Sequence, residues 1–207
     1  MKITKPKISI LEEKSLLDAY YENEYNNYHF KDNIDNSITI SNQTIDSCIF
    51  EKIDFTNISL EDVNIIDTIF ENCNLSNKSF DEKLLGRVIF KNCKMLGISF
   101  INASIKDIVI DSCTTKYLNF ANTKINNIII KDSDLSEATF LETEIKNIEF
   151  DNTKLYHTEF LKTKLNNVDF STSDISGVIF DFQSLRGIIV DEFQCKNLVG
   201  MFGVKIK

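Results

Sequence analysis

Between Ile45 and Val190 a large apolar residue returns every fifth position without a slip of register. These centres run Ile45, Phe50, Phe55, Leu60, Ile65, Phe70, Leu75, Phe80, Leu85, Phe90, Met95, Phe100, Ile105 and Ile110. After Thr115, the one polar member, they continue from Phe120 and Ile125 through Phe180 and Leu185 to Val190. Five is an odd period, and a continuous strand, whose side chains alternate faces, would send every second centre into water. The chain must therefore turn once per quintet, so that each quintet becomes one side of a coil with its centre inside. Of the fourteen centres at multiples of ten from 50 to 180, eleven are Phe, whereas of the fifteen at odd multiples of five from 45 to 185 only Phe55 is. That alternation needs an even number of sides if like is to stack on like. Four sides put Phe on two opposite faces and aliphatic centres on the other two, and Cys73, Cys93 and Cys113, recurring at twenty, agree.

The residue two before each centre also points inward in such a coil. Ile53, Ile58, Val63, Cys73, Cys93, Ala103, Cys113, Ala138, Thr143, Thr153 and Thr163 are small or aliphatic as this requires, while Lys78 and Lys83 are not, which marks a local distortion or a side chain that snorkels outward. The pattern predicts an all-β solenoid over residues 38–190, about 36 Å long at roughly 4.8 Å per stacked strand. Residues 1–37 lie outside the repeat and are expected to form an N-terminal cap segment. There Ser9-Ile10-Leu11-Glu12 has capping-box form, and Leu16, Leu17, Tyr20, Tyr21, Tyr25 and Tyr28 recur at roughly helical spacing. Residues 191–207 change character again: Asp191 is placed to cap a helix carrying Phe193, Leu198, Met201 and Phe202, with Gly203 at its end. The apolar side chains of that helix must be covered by the last coil or by a second copy.

The chain has 207 residues, 43% hydrophobic and 26% charged, with a net charge of −8. An acidic balance disfavours direct binding to nucleic acid, whose phosphates select clustered Lys and Arg. No apolar run approaches the length of a membrane span, and the basic start leads into no hydrophobic leader, so a cytoplasmic protein without a membrane role is expected. Five cysteines, an odd number, do not read as a disulfide framework. His29 and His157 stand apart from any nucleophile or carboxylate pair, and no phosphate-binding glycine loop occurs. The residues thus suggest no enzyme, cofactor, metal or small-molecule substrate.

Tandem quintets centred on Phe or Leu resemble the bacterial pentapeptide repeat proteins. The resemblance implies a right-handed quadrilateral β-helix. Leu185, Gly187, Asp191, Gln194 and Gly203 fall at the mutual spacing of the same segment in the quinolone-resistance (Qnr) proteins, where it forms a helix joining two rods end to end. This implies a homodimer, with Phe193, Leu198, Met201 and Phe202 at the joint, and a type II topoisomerase, DNA gyrase or topoisomerase IV, as partner. The unbroken register carries none of the projecting loops of the Gram-negative Qnr proteins, so the loopless members of the family are the nearer comparison.

Two outward surfaces qualify as a contact. The Qnr proteins that the chain resembles are acidic rods that bind these enzymes where duplex DNA would lie, and DNA of this rod's length carries about twenty phosphates, so mimicry by a chain of this charge must be local. Glu61, Asp62, Asp81 and Glu82 gather at one corner of the early coils, and Glu51, Glu71, Asp111 and Asp151 form a line interrupted by Lys91 and Lys131. A further face carries Arg87, Lys106, Lys146 and Arg186. The alternative surface is an apolar stripe, Ile49, Ile69, Ile89, Val109 and Ile129, one residue before successive centres, which fits a scaffold for another protein.

Overall fold

The computed structural model describes residues 1–200 and 203–205. The quintets form the sides of a parallel β-solenoid with a twenty-residue coil. Ile69 pairs with Ile89, Ile89 with Val109, Val109 with Ile129 and Ile129 with Glu149, each step advancing one coil in register. Four eight-residue strands, Asn64–Glu71, Leu84–Lys91, Ser104–Asp111 and Lys124–Lys131, each cover two adjoining sides and bend at the corner between them. The other two sides are held along the middle of the rod by single bridges such as Asn74 to Lys94 and Ser99 to Asn119, with short strand pairs, Ile38–Ser41 on Ile58–Glu61 and Glu159–Phe160 on Ile179–Phe180, towards the ends.

The corners lie two residues after each centre, and at most of them the backbone is left-handed. Asn72, Asn92, Asn122 and Asn152 have φ of 57°, 53°, 55° and 46°. Asn, Asp and Gly gather here because they enter this region at least cost. At many corners the centre's carbonyl also accepts from the N–H three residues on, as in Leu75 to Lys78 and Phe120 to Thr123, the hydrogen bond of a type II turn.

Inside, like stacks on like. Phe30, Phe50, Phe70 and Phe90 lie 4.9, 5.1 and 5.2 Å apart between ring centroids, and Phe80, Phe100, Phe120, Phe140, Phe160 and Phe180 form the opposite column. The columns meet edge to face, Phe90 on Phe100 and Phe150 on Phe160. Each buried ring contributes about 1.5–3 kcal/mol, spread evenly along the rod. Thr115, the polar centre, is fully buried and donates its hydroxyl to the Asp134 carbonyl at 3.0 Å.

The ladder reaches back into the segment expected to be only a cap. Tyr28–Phe30 pairs in parallel with Ile49–Glu51, and Tyr25 and Phe30 are buried in register with the later centres. Glu12–Glu13 adds a strand on Tyr28 and His29, and helix α1 (Leu16–Glu22) closes this end with Leu16 and Ala19 buried. Ser15, rather than Ser9, is the helix cap, its hydroxyl accepting from the Asp18 N–H. Glu12, which the capping-box reading placed in a helix, is used as a strand instead.

At the other end helix α2 (Phe182–Leu185) replaces one side of the last coil and helix α3 (Glu192–Gly200) covers the core. Asp191 caps α3, accepting from Gln194 N–H at 2.8 Å while the Gln194 side chain accepts from Asp191 N–H. Gln194, 8% exposed, then donates to the carbonyls of Phe170 and Ser173, satisfying the last turn of backbone.

Candidate interaction surface

Each coil presents two residues outward beside each inward centre, so the candidate residues fall into rows along the rod. The row from Glu51 to Asp151 is an ion-pair ladder. Glu71 meets Lys91 at 2.7 Å and Asp111 meets Lys131 at 2.9 Å, each one coil apart, and Glu51 meets His29 and Lys52. Hydrogen bonding to Glu71 raises the Lys91 pKa, and that to Asp111 raises Lys131. The lysines that interrupt the acidic line in the sequence therefore neutralise it in space, and Asp151 is left at its end.

The corner cluster differs. Glu61, Asp62 and Glu82 are exposed, and Lys83 reaches Asp62. Asp81 is turned to internal use, accepting from the Ser99 hydroxyl and the Ile101 N–H. Lys78 snorkels, its ammonium donating to the carbonyls of Ile58 at 2.9 Å and Thr56 at 3.4 Å. The basic residues divide as well. Arg87 is held by both oxygens of Asp67 at 2.6 Å, whereas Lys106, Lys124, Lys146 and Lys164 line a shallow groove with Lys162 on an adjoining face.

The stripe residues Ile49, Ile69, Ile89, Val109 and Ile129 are half-buried rather than open to solvent. Residues 1–8 run back along the rod beside the stripe. Lys7 N–H donates to Asp67 at 2.8 Å, the Ser47 hydroxyl donates to the Lys7 carbonyl at 3.3 Å, and the Met1 ammonium meets Glu149 at 2.8 Å. Sequence reading missed this arm, since Met1 to Ile8 has no strand partner in register and only its contacts reveal its course.

Of the residues expected at an end-to-end joint, Phe193 is 75% exposed, with Phe182, 84% exposed, also at this end of the chain. Leu198 packs against the solenoid core instead. Met201 and Phe202 lie outside the described residues.

Four of the five thiols are structural, and Cys195 is exposed. Cys48, Cys73, Cys93 and Cys113 are buried, and each donates to the carbonyl twenty-three residues earlier, as Thr123, Thr143, Thr153 and Thr163 do with their hydroxyls. Burial pushes the Cys48 pKa up to about 11. The position two before the centre is thus a hydrogen-bonded bridge between coils as well as a filler.

Family models described as pentapeptide repeat region match residues 43–120 and 63–140, and a model of eight pentapeptide repeats matches residues 133–172. The chain belongs to the pentapeptide repeat family. Among solved structures it is similar to trypsin-treated QnrB1, a plasmid-mediated fluoroquinolone resistance protein, at 18% identity and a TM-score of 0.52, covering 88% of this chain and 89% of that one. Full-length QnrB1 is 17% identical with a TM-score of 0.36, covering 93% of this chain and 100% of that one. HetL of Nostoc sp. strain PCC 7120, involved in heterocyst differentiation regulation, is 12% identical with a TM-score of 0.29, covering 86% and 96%. At these identities the likeness shows the fold alone. No curated protein matches the sequence. Among the described residues no helix is long and apolar enough to cross a membrane.

Proposed function

We propose that this pentapeptide repeat protein is a non-enzymatic, cytoplasmic interaction module: a rod that pairs end to end with a second copy and offers acidic surface to a basic protein groove that otherwise holds DNA. DNA gyrase and topoisomerase IV are the partners this reading names, and quinolone susceptibility is the phenotype. The observation that carries it is the corner of Glu61, Asp62 and Glu82, where exposed carboxylates outnumber the one lysine that reaches them. The neutralised line from Glu51 to Asp151 contributes little, so the acidic contact is confined to the early coils. The fold shared with QnrB1 adds support.

Supercoiling by purified gyrase, with and without a quinolone, tests the reading. Micromolar protein is expected to inhibit supercoiling or relieve the drug, and Glu61→Lys with Glu82→Lys to abolish the effect. No effect of the unaltered protein on supercoiling by gyrase, with or without the drug, and none on decatenation by topoisomerase IV would sink it.

A second reading, a scaffold that binds another protein through the stripe from Ile49 to Ile129, is favoured by a specific observation: an extended peptide segment, the chain's own, already lies beside that stripe. Ile69→Lys and Ile89→Lys should then release any partner captured by the unaltered chain, and retention of every partner would refute it.

A further inference from the structure

The corner shared by the stripe and the long strands is covered along most of its length, unlike its counterparts. At the other three corners Asp62, Glu82, Asn102, Asn122 and Glu142, or Asn72, Asn92 and Ser112, or Asn77, Tyr117 and Glu137, stand exposed, with Gly97 half-buried among the last. Here Asp67 is 6% exposed and Asp107 4%, while Ser47, Arg87 and Asn127 are half-buried. The cover ends where the arm ends, for Asn147 is exposed beside Glu149, which holds Met1.

Length and pattern fit the same course. Four coils from Asp67 to Asn147 measure about 19 Å, and the six residue steps from Lys7 to Met1 span about 20 Å when extended. Ile3, Pro6 and Ile8 are half-buried, while Lys2, Lys5 and Lys7 are exposed. The floor supplies carboxylates: Asp46 and Asp107 lie along it, and Asp67, paired with Arg87, takes the Lys7 N–H. Proline suits the segment because its fixed φ belongs to extended backbone and it removes a donor that no ladder here requires.

We propose that this corner is a docking groove for an extended peptide, filled in cis by residues 1–8, and that its outside ligand is a partner segment with β-branched or proline residues two or three apart and lysines between. The arm is an internal competitor that keeps the groove and the adjoining stripe closed until it lifts. The inference deepens the scaffold reading, but its test needs no outside protein. A groove that binds the probe while stripe variants keep every captured partner would stand alone and leave only the scaffold reading refuted.

The probe is a fluorescein-labelled peptide of residues 1–10, followed by fluorescence anisotropy. Full-length chain carrying Ile3→Asp and Ile8→Asp, which lifts the arm without truncation, is expected to bind it at least tenfold more tightly than the unaltered chain, whose tethered arm competes at high effective concentration. Added Asp67→Asn and Asp107→Asn should weaken that binding at least tenfold, and raised salt should weaken it further. A chain lacking residues 1–8 provides the second arm-free form, with a thermal melt to establish folding. Equal binding by the arm-free and unaltered chains, equal binding of a scrambled peptide, or no binding by either folded arm-free form overturns the proposal.

Discussion

At the scale of single residues the rod depends on the position two after each centre. Asn122 has φ of 55°, a conformation glycine enters freely, Asn with little penalty, and a β-branched residue only at a cost of about 1–2 kcal/mol. Asn122→Gly should therefore change stability by less than about 0.5 kcal/mol and Asn122→Val should lower it by about 1–2 kcal/mol in urea unfolding. Equal losses for the two would show that the side chain, and not the backbone, sets the corner. The position carries a visible signal in the sequence, with Asn at 72, 77, 92, 102, 122, 127, 152 and 167 and Gly at 97, 177 and 187. It is blurred by Lys52, Arg87, Tyr117 and Lys162, which adopt the same conformation because the stacked coils on either side enforce it. The inward Cys and Thr residues show the complementary limit. Their small size is legible from the repeat, but their hydrogen bonds to the previous coil depend on which carbonyl the turn brings beneath them.

At the scale of the coil, stability is a sum over neighbours, since each turn touches only the turns above and below. Phe120 is buried between Phe100 and Phe140, both 5.1 Å away, so Phe120→Ala should cost about 3–5 kcal/mol. Hydrogen exchange should register the loss most strongly in the coils from Phe100 to Phe140 and least at Phe30 and Phe50. Uniform loss of protection along the whole rod would refute a neighbour-by-neighbour account. The coil was legible in detail because period, Phe alternation and Cys spacing all demand the same four-sided stack. The ends were less so. The capping box read at Ser9 is overridden because Glu12 and Glu13 are drawn onto Tyr28 and His29 as a strand, and the helix starts at Ser15 instead. A tertiary partner outweighed the local pattern.

At the scale of the whole molecule, charge and exposed apolar surface argue for different contacts at different places. The net charge of −8 is not spread as a uniform field, because lysines one coil away neutralise the acidic row and a lysine-lined groove occupies another face. Lateral attraction to a basic partner must therefore be local, whereas the C-terminal end offers apolar area: Phe182 and Phe193 are exposed while Leu198 and Gln194 are committed to the last coil. Residues facing inward from α3 hold the cap in place, and residues facing outward are free to meet a second copy, so the two roles can be separated by mutation. Phe193→Asp should leave the thermal midpoint nearly unchanged, since an exposed ring contributes little to the fold, yet convert the proposed end-to-end dimer to a monomer in light scattering at micromolar concentration. Gln194→Ala should instead leave the Ser173 carbonyl without a donor, while the Phe170 carbonyl keeps the Ser173 N–H, and destabilise that end by about 1–3 kcal/mol. A dimer that survives Phe193→Asp would place the joint elsewhere, and a monomer in the unaltered chain would leave Phe193 as a simple surface residue.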